Sequence, residues 1–201
     1  MNRDHWESIH ASKQDQVSWY QERPTLAFDF IRACGLHPGA AALDAGAGAS
    51  RMVEALLELS LKVTVADIAQ SALDRVRDRL GPRAGEVAFL RADLTKADLP
   101  EAAFDLWHDR AVFHFLTDPA DRAAYLAAMT KALRPGAFVV LACFAPDGPE
   151  KCSGLPVRRY DAAGLAAELG AGFELLDEGH ETHPTPFGTT QAFTVTRFRR
   201  I

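Results

Sequence analysis

Two kinds of apolar spacing alternate along most of the chain. Short apolar runs typical of buried strands are separated by stretches in which apolar residues recur every three or four positions, as they do in helices. After a first strand that begins near Ala41, the strand-like runs lie at about 62–66, 86–91, 104–108 and 136–144. The helical patterns lie at roughly 50–60, 69–80, 120–134 and 161–168. This alternation predicts an α/β fold: a Rossmann-like, doubly wound sheet that is mostly parallel, with helices on both faces.

The C-terminal part departs from this alternation. Two extended segments, 173–178 and 191–198, follow one another with no helix between them, and a turn-rich stretch with Pro184, Pro186 and Gly188 joins them. Successive strands without a crossover helix pair in antiparallel fashion. The sequence therefore predicts a seven-stranded sheet that ends in an antiparallel hairpin.

Residues 1–40 precede the first strand. They contain an aromatic segment at Trp19 and Tyr20, followed by an apolar helical pattern that begins near Leu26. We expect this part to form a helical and aromatic cap on a Rossmann-like core at 41–201. A chain of 201 residues, 48% of them hydrophobic, is long enough for one α/β core, so we predict a single domain.

The segment 43–50 is the most informative in the chain, because a strand-like run there meets Gly46 and Gly48 before a helical pattern. Glycine permits a positive φ and a close approach of a ligand to the main chain, and the helix that follows offers N–H groups to an anionic group. Asp44, at the strand end, repels a nucleotide phosphate and attracts an ammonium group. Arg51 stands where a dinucleotide fingerprint has its third glycine. The segment therefore favours S-adenosylmethionine over a dinucleotide.

Two further strands end in an acid. Asp67 closes the second strand 19 residues after Gly48, a distance at which a carboxylate accepts hydrogen bonds from both ribose hydroxyls. Asp93 follows the third strand and is a candidate partner for the adenine amino group. Each acid alone has an ordinary explanation as a solvated strand end or a helix cap, and Asp93 also as the start of a turn. Together the acids predict one nucleoside site.

These features resemble the class I S-adenosylmethionine-dependent methyltransferase family. The resemblance rests on the D-x-G-x-G turn at 44–48, the acid that closes the second strand, the Asp after the third, and the fourth strand at 104–109, and it covers nearly the whole chain. It implies S-adenosylmethionine as the methyl donor, S-adenosylhomocysteine as the product, and direct in-line transfer.

The resemblance also implies a set of donor-binding residues: Trp19, Tyr20, Asp44, Ala45, Gly46, Gly48, Ser50, Arg51, Asp67, Ile68, Ala92, Asp93, Leu94 and His108. Core packing is the alternative for the two aromatic residues of this set. For His108 the alternative is a strand-end position at which the ring merely abuts the adenine.

The loop after the fourth strand gathers several titratable side chains. Asp109 and His114 are the candidate catalytic bases, and Arg110 is a candidate to hold an anionic acceptor. The alternatives are structural: His114 packed between its two phenylalanine neighbours, and Asp109 paired with Arg110 or Arg122. Methyl transfer mainly requires alignment of donor and acceptor and exclusion of water, so a base is not obligatory.

The segment 144–160 is too long and too rich in proline and glycine to be a tight connection. Long loops in compact domains often cover a site. We expect a lid whose Cys152, Arg158 and Tyr160 join Arg110 in binding the substrate. The alternative is a surface excursion ordered by its prolines.

Composition narrows the choice of partners. A formal net charge of −5 gives no general attraction to nucleic acid. Three widely spaced cysteines indicate neither a disulfide framework nor a metal site. The sequence shows no hydrophobic leader and no apolar run of membrane-spanning length, so we expect no membrane contact and a cytoplasmic location.

Four functions remain open at this point. A small-molecule nucleophile is the expected methyl acceptor, although nothing in the sequence identifies the accepting atom. Methylation of a protein lysine is the alternative within the same enzyme class, and a non-catalytic S-adenosylmethionine-binding module is the alternative outside it. An NAD(P)-dependent oxidoreductase is disfavoured by Arg51 and by the C-terminal hairpin. The sequence does not indicate an oligomeric state.

Overall fold

The computed structural model describes residues 3–12, 26–48 and 51–201. Its main sheet has seven strands: Ala41–Ala45 (β1), Lys62–Asp67 (β2), Val87–Arg91 (β3), Phe104–Arg110 (β4), Leu133–Phe144 (β5), Phe173–Pro184 (β8) and Thr190–Arg200 (β9). The strand order is β3-β2-β1-β4-β5-β9-β8. Strands β1 to β5 run parallel, and β9 is antiparallel to both of its neighbours. The predicted topology, including the C-terminal hairpin, is confirmed.

Within the described ranges, six α-helices accompany the sheet: Arg3–Ser12 (α1), Leu26–Ala33 (α2), Met52–Glu58 (α3), Gln70–Leu80 (α4), Pro119–Ala132 (α5) and Ala162–Leu169 (α6). Apolar residues of α2, α3 and α4 pack on one side of the sheet, which we call the α3 face. Apolar residues of α5 and α6 pack on the other side, the α5 face. The prediction of helices on both faces is also confirmed.

Strand β4 divides its side chains between the two faces. Leu106 belongs to the core on the α3 face and Trp107 to the core on the α5 face. Because side chains alternate along a strand, His108 and Arg110 lie on the α3 face and Asp109 on the α5 face. This alternation determines which of the predicted site residues can meet.

The start of β5 differs from the prediction. The strand-like run was expected to begin near 136, after a helical pattern that ends near 134, but the strand already begins at Leu133. The pairing with β4 jumps from Leu133 to Phe138, so the intervening residues form a bulge, and Gly136 adopts a φ of +79°. A bulge accommodates a proline inside a sheet because it interrupts the ladder of hydrogen bonds.

A helix and a small hairpin lie where only a cap and a loop were expected. Helix α1 packs on α4. Within the 144–160 segment, Lys151–Cys152 (β6) and Leu155–Pro156 (β7) form a small antiparallel hairpin. No helix within the described ranges is both long and apolar enough to cross a lipid bilayer.

Candidate functional site

A cleft opens at the carboxyl ends of β1, β2 and β4, where the strand order reverses. Open α/β sheets bind their ligands at this position. The cleft encloses about 620 Å³, open solvent included, within the usual range for small-molecule sites. Its lining residues are Trp6, His10, Gly46, Gly48, Ala66, Asp67, Ile68, Ala92, Leu94, Arg110, Ala111, Val112, Phe115 and Cys152.

The two glycines after β1 have little room for a side chain. Gly46 has a φ of +62°, and a Cβ built there would lie 1.9 Å from a methyl carbon of Val112. Gly48 has a φ of +48°, and its Cβ would lie 3.2 Å from Cε1 of His10. Glycine is therefore required at Gly46 for both backbone and space, and the bare main chain at both positions borders the cleft.

Asp67 holds a carboxylate at the edge of this cleft. Its Oδ2 accepts a hydrogen bond from the Gly48 N–H at 3.1 Å, and its Oδ1 accepts one from the Ala69 N–H at 2.8 Å. The side chain is only 7% exposed, and burial raises its pKa from 3.8 to about 6 against the opposing effect of these backbone bonds. Each carboxylate oxygen has more than one acceptor site, so both can also accept from ligand hydroxyls.

Asp44 and His108 form a buried pair next to the cleft. They face each other across β1 and β4, both are 1% exposed, and Oδ1 of Asp44 lies 2.6 Å from Nδ1 of His108. Neither side chain lines the cleft. Oδ2 of Asp44 and Nε2 of His108 have no hydrogen-bond partner among the described residues. A direct contact of either residue with the donor stays a prediction.

Asp109 is enclosed on the α5 face. Its carboxylate accepts hydrogen bonds from the backbone N–H groups of Val112 and Phe113, at 2.9 and 3.1 Å, and from the hydroxyl of Tyr125. It is fully buried, burial raises its pKa to about 6, and it does not line the cleft. This geometry gives no support to Asp109 as a catalytic base. Its partner is Tyr125, rather than the arginines expected as the structural alternative.

His114 is also buried, between the rings of Phe115 and Phe144, each with its centroid 4.6 Å away. The Phe144 N–H donates a hydrogen bond to Nδ1 at 3.3 Å, so the ring proton belongs on Nε2. Burial, together with the charge of Arg110, lowers the pKa of His114 to about 3. A neutral ring whose acceptor nitrogen is occupied does not suit a general base, so the structural alternative fits better, with Phe144 in the place expected for Phe113.

The four predicted substrate residues fall into two groups. Arg110 and Cys152 line the cleft, and the Arg110 guanidinium lies 4.5 Å from the centroid of the Phe193 ring. Tyr160 is buried in the core of the α5 face. Arg158 is half exposed and forms an ion pair with Glu168. The hairpin β6–β7 therefore brings one of its predicted residues, Cys152, to the cleft.

The predicted donor residues divide in the same way. Gly46, Gly48, Asp67, Ile68, Ala92 and Leu94 line the cleft, whereas Ala45, Arg51 and Asp93 do not. The Asp93 carboxylate accepts hydrogen bonds from the N–H and the hydroxyl of Thr95, as the turn alternative predicted. Trp19, Tyr20 and Ser50 lie outside the described residues.

Several lining residues were missed by the sequence reasoning. Trp6 and His10, both on α1, border the cleft, and so do Val112 and Phe115 after β4. The Trp6 and Phe115 rings meet edge to face with centroids 4.8 Å apart. The spacing of Trp6 and His10, four residues apart, is the one signal that places them on the same side of a helix.

The residues that line the cleft fit a nucleoside that carries a short charged chain. Ile68, Leu94 and Val112 supply apolar walls for a base, and Asp67 supplies acceptors for a ribose. The exposed main chain at the two glycines allows the rest of the ligand to lie against the sheet edge. S-adenosylmethionine has each of these parts, so the residues present fit it.

Comparison with known proteins agrees with this assignment. Residues 42–136 match a family model described as a methyltransferase domain. The malonyl-[acyl-carrier protein] O-methyltransferase of Serratia marcescens is 30% identical over 109 residues, which are 54% of this chain and 40% of that protein. The match thus spans less than half of the curated relative.

Solved structures are similar over nearly the whole chain. The 1,6-didemethyltoxoflavin-N1-methyltransferase of Burkholderia thailandensis, solved with 1,6-didemethyltoxoflavin and S-adenosylhomocysteine, has 26% identity and a TM-score of 0.78, and the match covers 98% of this chain and 86% of that one. The [4+2]-cyclase SpnF shares the fold at 17% identity, with a TM-score of 0.70 and coverage of 98% and 91%. The fold, the cleft and the match to a methyltransferase domain together make this chain similar to the class I S-adenosylmethionine-dependent methyltransferases.

Proposed function

We propose that this protein transfers a methyl group from S-adenosylmethionine to a small-molecule nucleophile and releases S-adenosylhomocysteine. One observation carries the proposal: Asp67, held by the Gly48 and Ala69 N–H groups, presents its carboxylate to the cleft beside the glycine turn. The proposal assigns the ribose hydroxyls to Asp67. It assigns the adenine to the apolar walls at Ile68 and Leu94.

The remaining donor contacts follow from the lining. The proposal places the methionyl part along the bare main chain at Gly46 and Gly48, and it places Trp6 and His10 over the ligand. Burial lowers the pKa of His10 to about 4, so this side chain stays neutral near pH 7 and adds no charge beside a sulfonium. When bound, S-adenosylmethionine supplies an electrophilic methyl group. The chain's own contribution is to orient that group and to exclude water.

Arg110 and Cys152 define the acceptor side in this proposal. Both line the cleft, and stacking on Phe193 restrains the guanidinium of Arg110. The acceptor attacks directly, with neither Asp109 nor His114 as its base, because both side chains are fully buried and have structural partners. A small molecule is the acceptor in this proposal. The toxoflavin enzyme is named for such an acceptor. We propose a cytoplasmic location and no nucleic-acid partner, on the charge and composition of the chain.

The first experiment is a calorimetric titration of the purified protein with S-adenosylhomocysteine, run beside NADH under identical conditions. We expect saturable binding of S-adenosylhomocysteine alone. The Asp67→Ala variant should bind it more weakly by roughly 1–3 kcal/mol, the cost of a lost buried hydrogen bond. Binding of NADH alone, or an unchanged dissociation constant in the variant, contradicts the proposal.

A second candidate function is binding of the donor without methyl transfer. The observation behind it is SpnF, a structure with this fold that is named for a cyclisation. Incubation with methyl-labelled S-adenosylmethionine and a panel of heteroaromatic amines, phenols, thiols and carboxylic acids separates the two candidates. Label in any acceptor supports the methyltransferase, whereas donor binding with no labelled product in the whole panel favours the second candidate.

A further inference from the structure

One carboxylate, that of Glu7, forms hydrogen bonds between helix α1 and the start of α4. Oε1 of Glu7 accepts a hydrogen bond from the Gln70 N–H at 2.9 Å, and Oε2 accepts one from the Ser71 N–H at 3.0 Å. The Ser71 hydroxyl also donates to Oε2, at 2.5 Å. These donors belong to the first turn of α4, whose own N-cap residue, Ala69, supplies no side-chain hydrogen bond. Glu7 is therefore an N-cap that reaches α4 from a distant part of the chain.

The charge of Glu7 suits this position. The first N–H groups of a helix lack partners within the helix, and the positive end of the helix dipole attracts an anion. Bonding from the Ser71 hydroxyl, followed by the two backbone bonds, lowers the pKa of Glu7 against a desolvation cost. The carboxylate is thus ionised at neutral pH and is held by the helix end.

The residues on either side of this contact reach the cleft. Trp6 is 8% exposed and packs with Ile68, Ala69 and Ala72, at the start of α4. Trp6 and His10 both line the cleft. The bonds that Glu7 makes to α4 therefore lie next to the two α1 residues that border the cleft.

The same turn also serves Asp67. The Ala69 N–H donates to Asp67, and the next two N–H groups, of Gln70 and Ser71, donate to Glu7. Three consecutive backbone N–H groups thus bond to two carboxylates: that of Asp67, which borders the cleft, and that of Glu7 on α1. The contact between α1 and α4 therefore lies directly beside the proposed ribose acceptor.

We propose that Glu7 is a positioning residue for donor binding: it latches α1 over the cleft by capping α4, so that donor affinity and residence time depend on a side chain that does not line the cleft. The inference rests on the proposed function, because it takes the cleft to be the donor site. It predicts that loss of the latch speeds donor release more than it slows donor entry.

The test compares Glu7→Ala with a matched cap variant on the opposite face, Asp161→Ala. Asp161 caps α6 by accepting a hydrogen bond from the Gly164 N–H at 2.7 Å, and α6 packs on the α5 face. Both variants lose one helix cap, so both should lower the melting temperature. Only Glu7→Ala should raise the dissociation constant of S-adenosylhomocysteine, by about fivefold to tenfold, mostly through a faster dissociation rate.

A third variant, Ser71→Ala, keeps both backbone bonds and removes only the hydroxyl donor, so we expect a rise in the dissociation constant of about twofold to threefold. Ser71→Ala also tests the proposal if Glu7→Ala does not fold. Hydrogen exchange of the α1 amides, measured with S-adenosylhomocysteine bound, should be faster in both α1-latch variants than in the wild type and unchanged in Asp161→Ala.

The outcomes separate the two proposals. Wild-type binding together with unchanged dissociation constants in Glu7→Ala and Ser71→Ala overturns the latch and leaves the proposed function in place. Equal weakening in Asp161→Ala also overturns it, because the effect is then one of general stability. A wild-type protein that does not bind S-adenosylhomocysteine overturns the proposed function, and the latch with it.

Discussion

Asp67 and Asp109 are two buried acids at the carboxyl ends of β2 and β4, and they have different surroundings although burial raises the pKa of both. Burial raises the pKa of each from 3.8 to about 6. Asp67 accepts two backbone N–H bonds and borders the cleft. Asp109 accepts two backbone N–H bonds and a tyrosine hydroxyl, and it is closed off on the α5 face.

The difference shows that a raised pKa does not by itself mark a functional acid. Desolvation is the main cause in both residues, yet only Asp67 has an oxygen that a ligand can reach. Structural networks perturb pKa values as well as active sites do. The position of the residue on its strand, rather than its acidity, separates the ligand-facing carboxylate from the structural one.

The largest expected effect comes from removing the structural acid. Asp109→Ala leaves the Tyr125 hydroxyl and two backbone N–H groups buried without an acceptor, so we expect it to lower the free energy of unfolding by about 3–5 kcal/mol. Urea denaturation measures this loss. Calorimetry on the folded variant should give a dissociation constant for S-adenosylhomocysteine within about twofold of the wild type.

Asp109→Asn is the milder companion, because it retains one acceptor oxygen and should cost less. A stable Asp109→Ala protein with greatly weakened donor binding would reverse the comparison, since Asp109 would then act as the ligand acid.

The second-largest expected effect is a loss of donor binding on substitution of Asp67. Asp67→Asn keeps the size of the side chain and replaces one charged acceptor with an amide donor that opposes the backbone N–H groups. We expect donor binding to weaken by about 10- to 100-fold, as for a lost hydrogen bond to a charged group, with a smaller change in unfolding free energy than in Asp109→Ala. Calorimetry and urea denaturation on the same preparation measure both quantities. A variant that loses stability but not affinity would remove Asp67 from the donor site.

Much of the fold and part of this site follow from the sequence. Strand and helix periods gave the sheet, and the spacing of Gly46, Gly48 and Asp67 predicted that these residues lie together. These features are local: each depends on a strand end and the turn that follows it. That is why the donor side of the cleft was more predictable than the acceptor side.

The acceptor side depends on which face each residue occupies and on distant contacts. His108, Asp109 and Arg110 are adjacent in sequence, but alternation along β4 sends Asp109 to the opposite face of the sheet. Applied at the sequence level, that alternation would have separated them. The placement of Trp6 over the cleft depends on the capping of α4 by Glu7, a contact between residues 63 and 64 positions apart, which no local pattern reveals.

The third effect is a smaller loss of stability at Tyr125. Its hydroxyl donates to Asp109 and accepts a hydrogen bond from Nε1 of Trp107 at 2.9 Å. Burial, followed by the nearby Asp109 charge, raises the pKa of Tyr125 well above 10, so the hydroxyl keeps its proton. Tyr125→Phe should lower the unfolding free energy by about 1–2 kcal/mol and leave donor affinity unchanged. A larger loss in Tyr125→Phe than in Asp109→Ala would mean that the hydrogen bond from Trp107 to the hydroxyl, rather than the carboxylate, organises this cluster.

The smallest effect separates the two acids by pH. Ribose hydroxyls bond more strongly to a carboxylate than to a carboxylic acid. Donor affinity should therefore fall as the pH drops through the Asp67 pKa of about 6. For unfolding the sign is opposite: the folded pKa of Asp109 lies above its unfolded value of 3.8, so its contribution to stability is complete below pH 3.8 and is lost as the pH rises through about 6.

Calorimetry at pH 5 and pH 7.5 should thus show donor binding that is weaker at pH 5 by up to about tenfold. Urea denaturation should show that protonation of Asp67 and Asp109 at pH 5 does not lower the stability of the wild type. Asp67→Asn should abolish the pH dependence of affinity, and Asp109→Asn should preserve it while removing part of the pH dependence of stability. His10, with its pKa lowered to about 4, remains neutral at both pH values and does not add to the difference. If the pH dependence of donor affinity disappears in Asp109→Asn instead, the proton that controls donor binding belongs to Asp109. The distinction between the two acids would then be wrong.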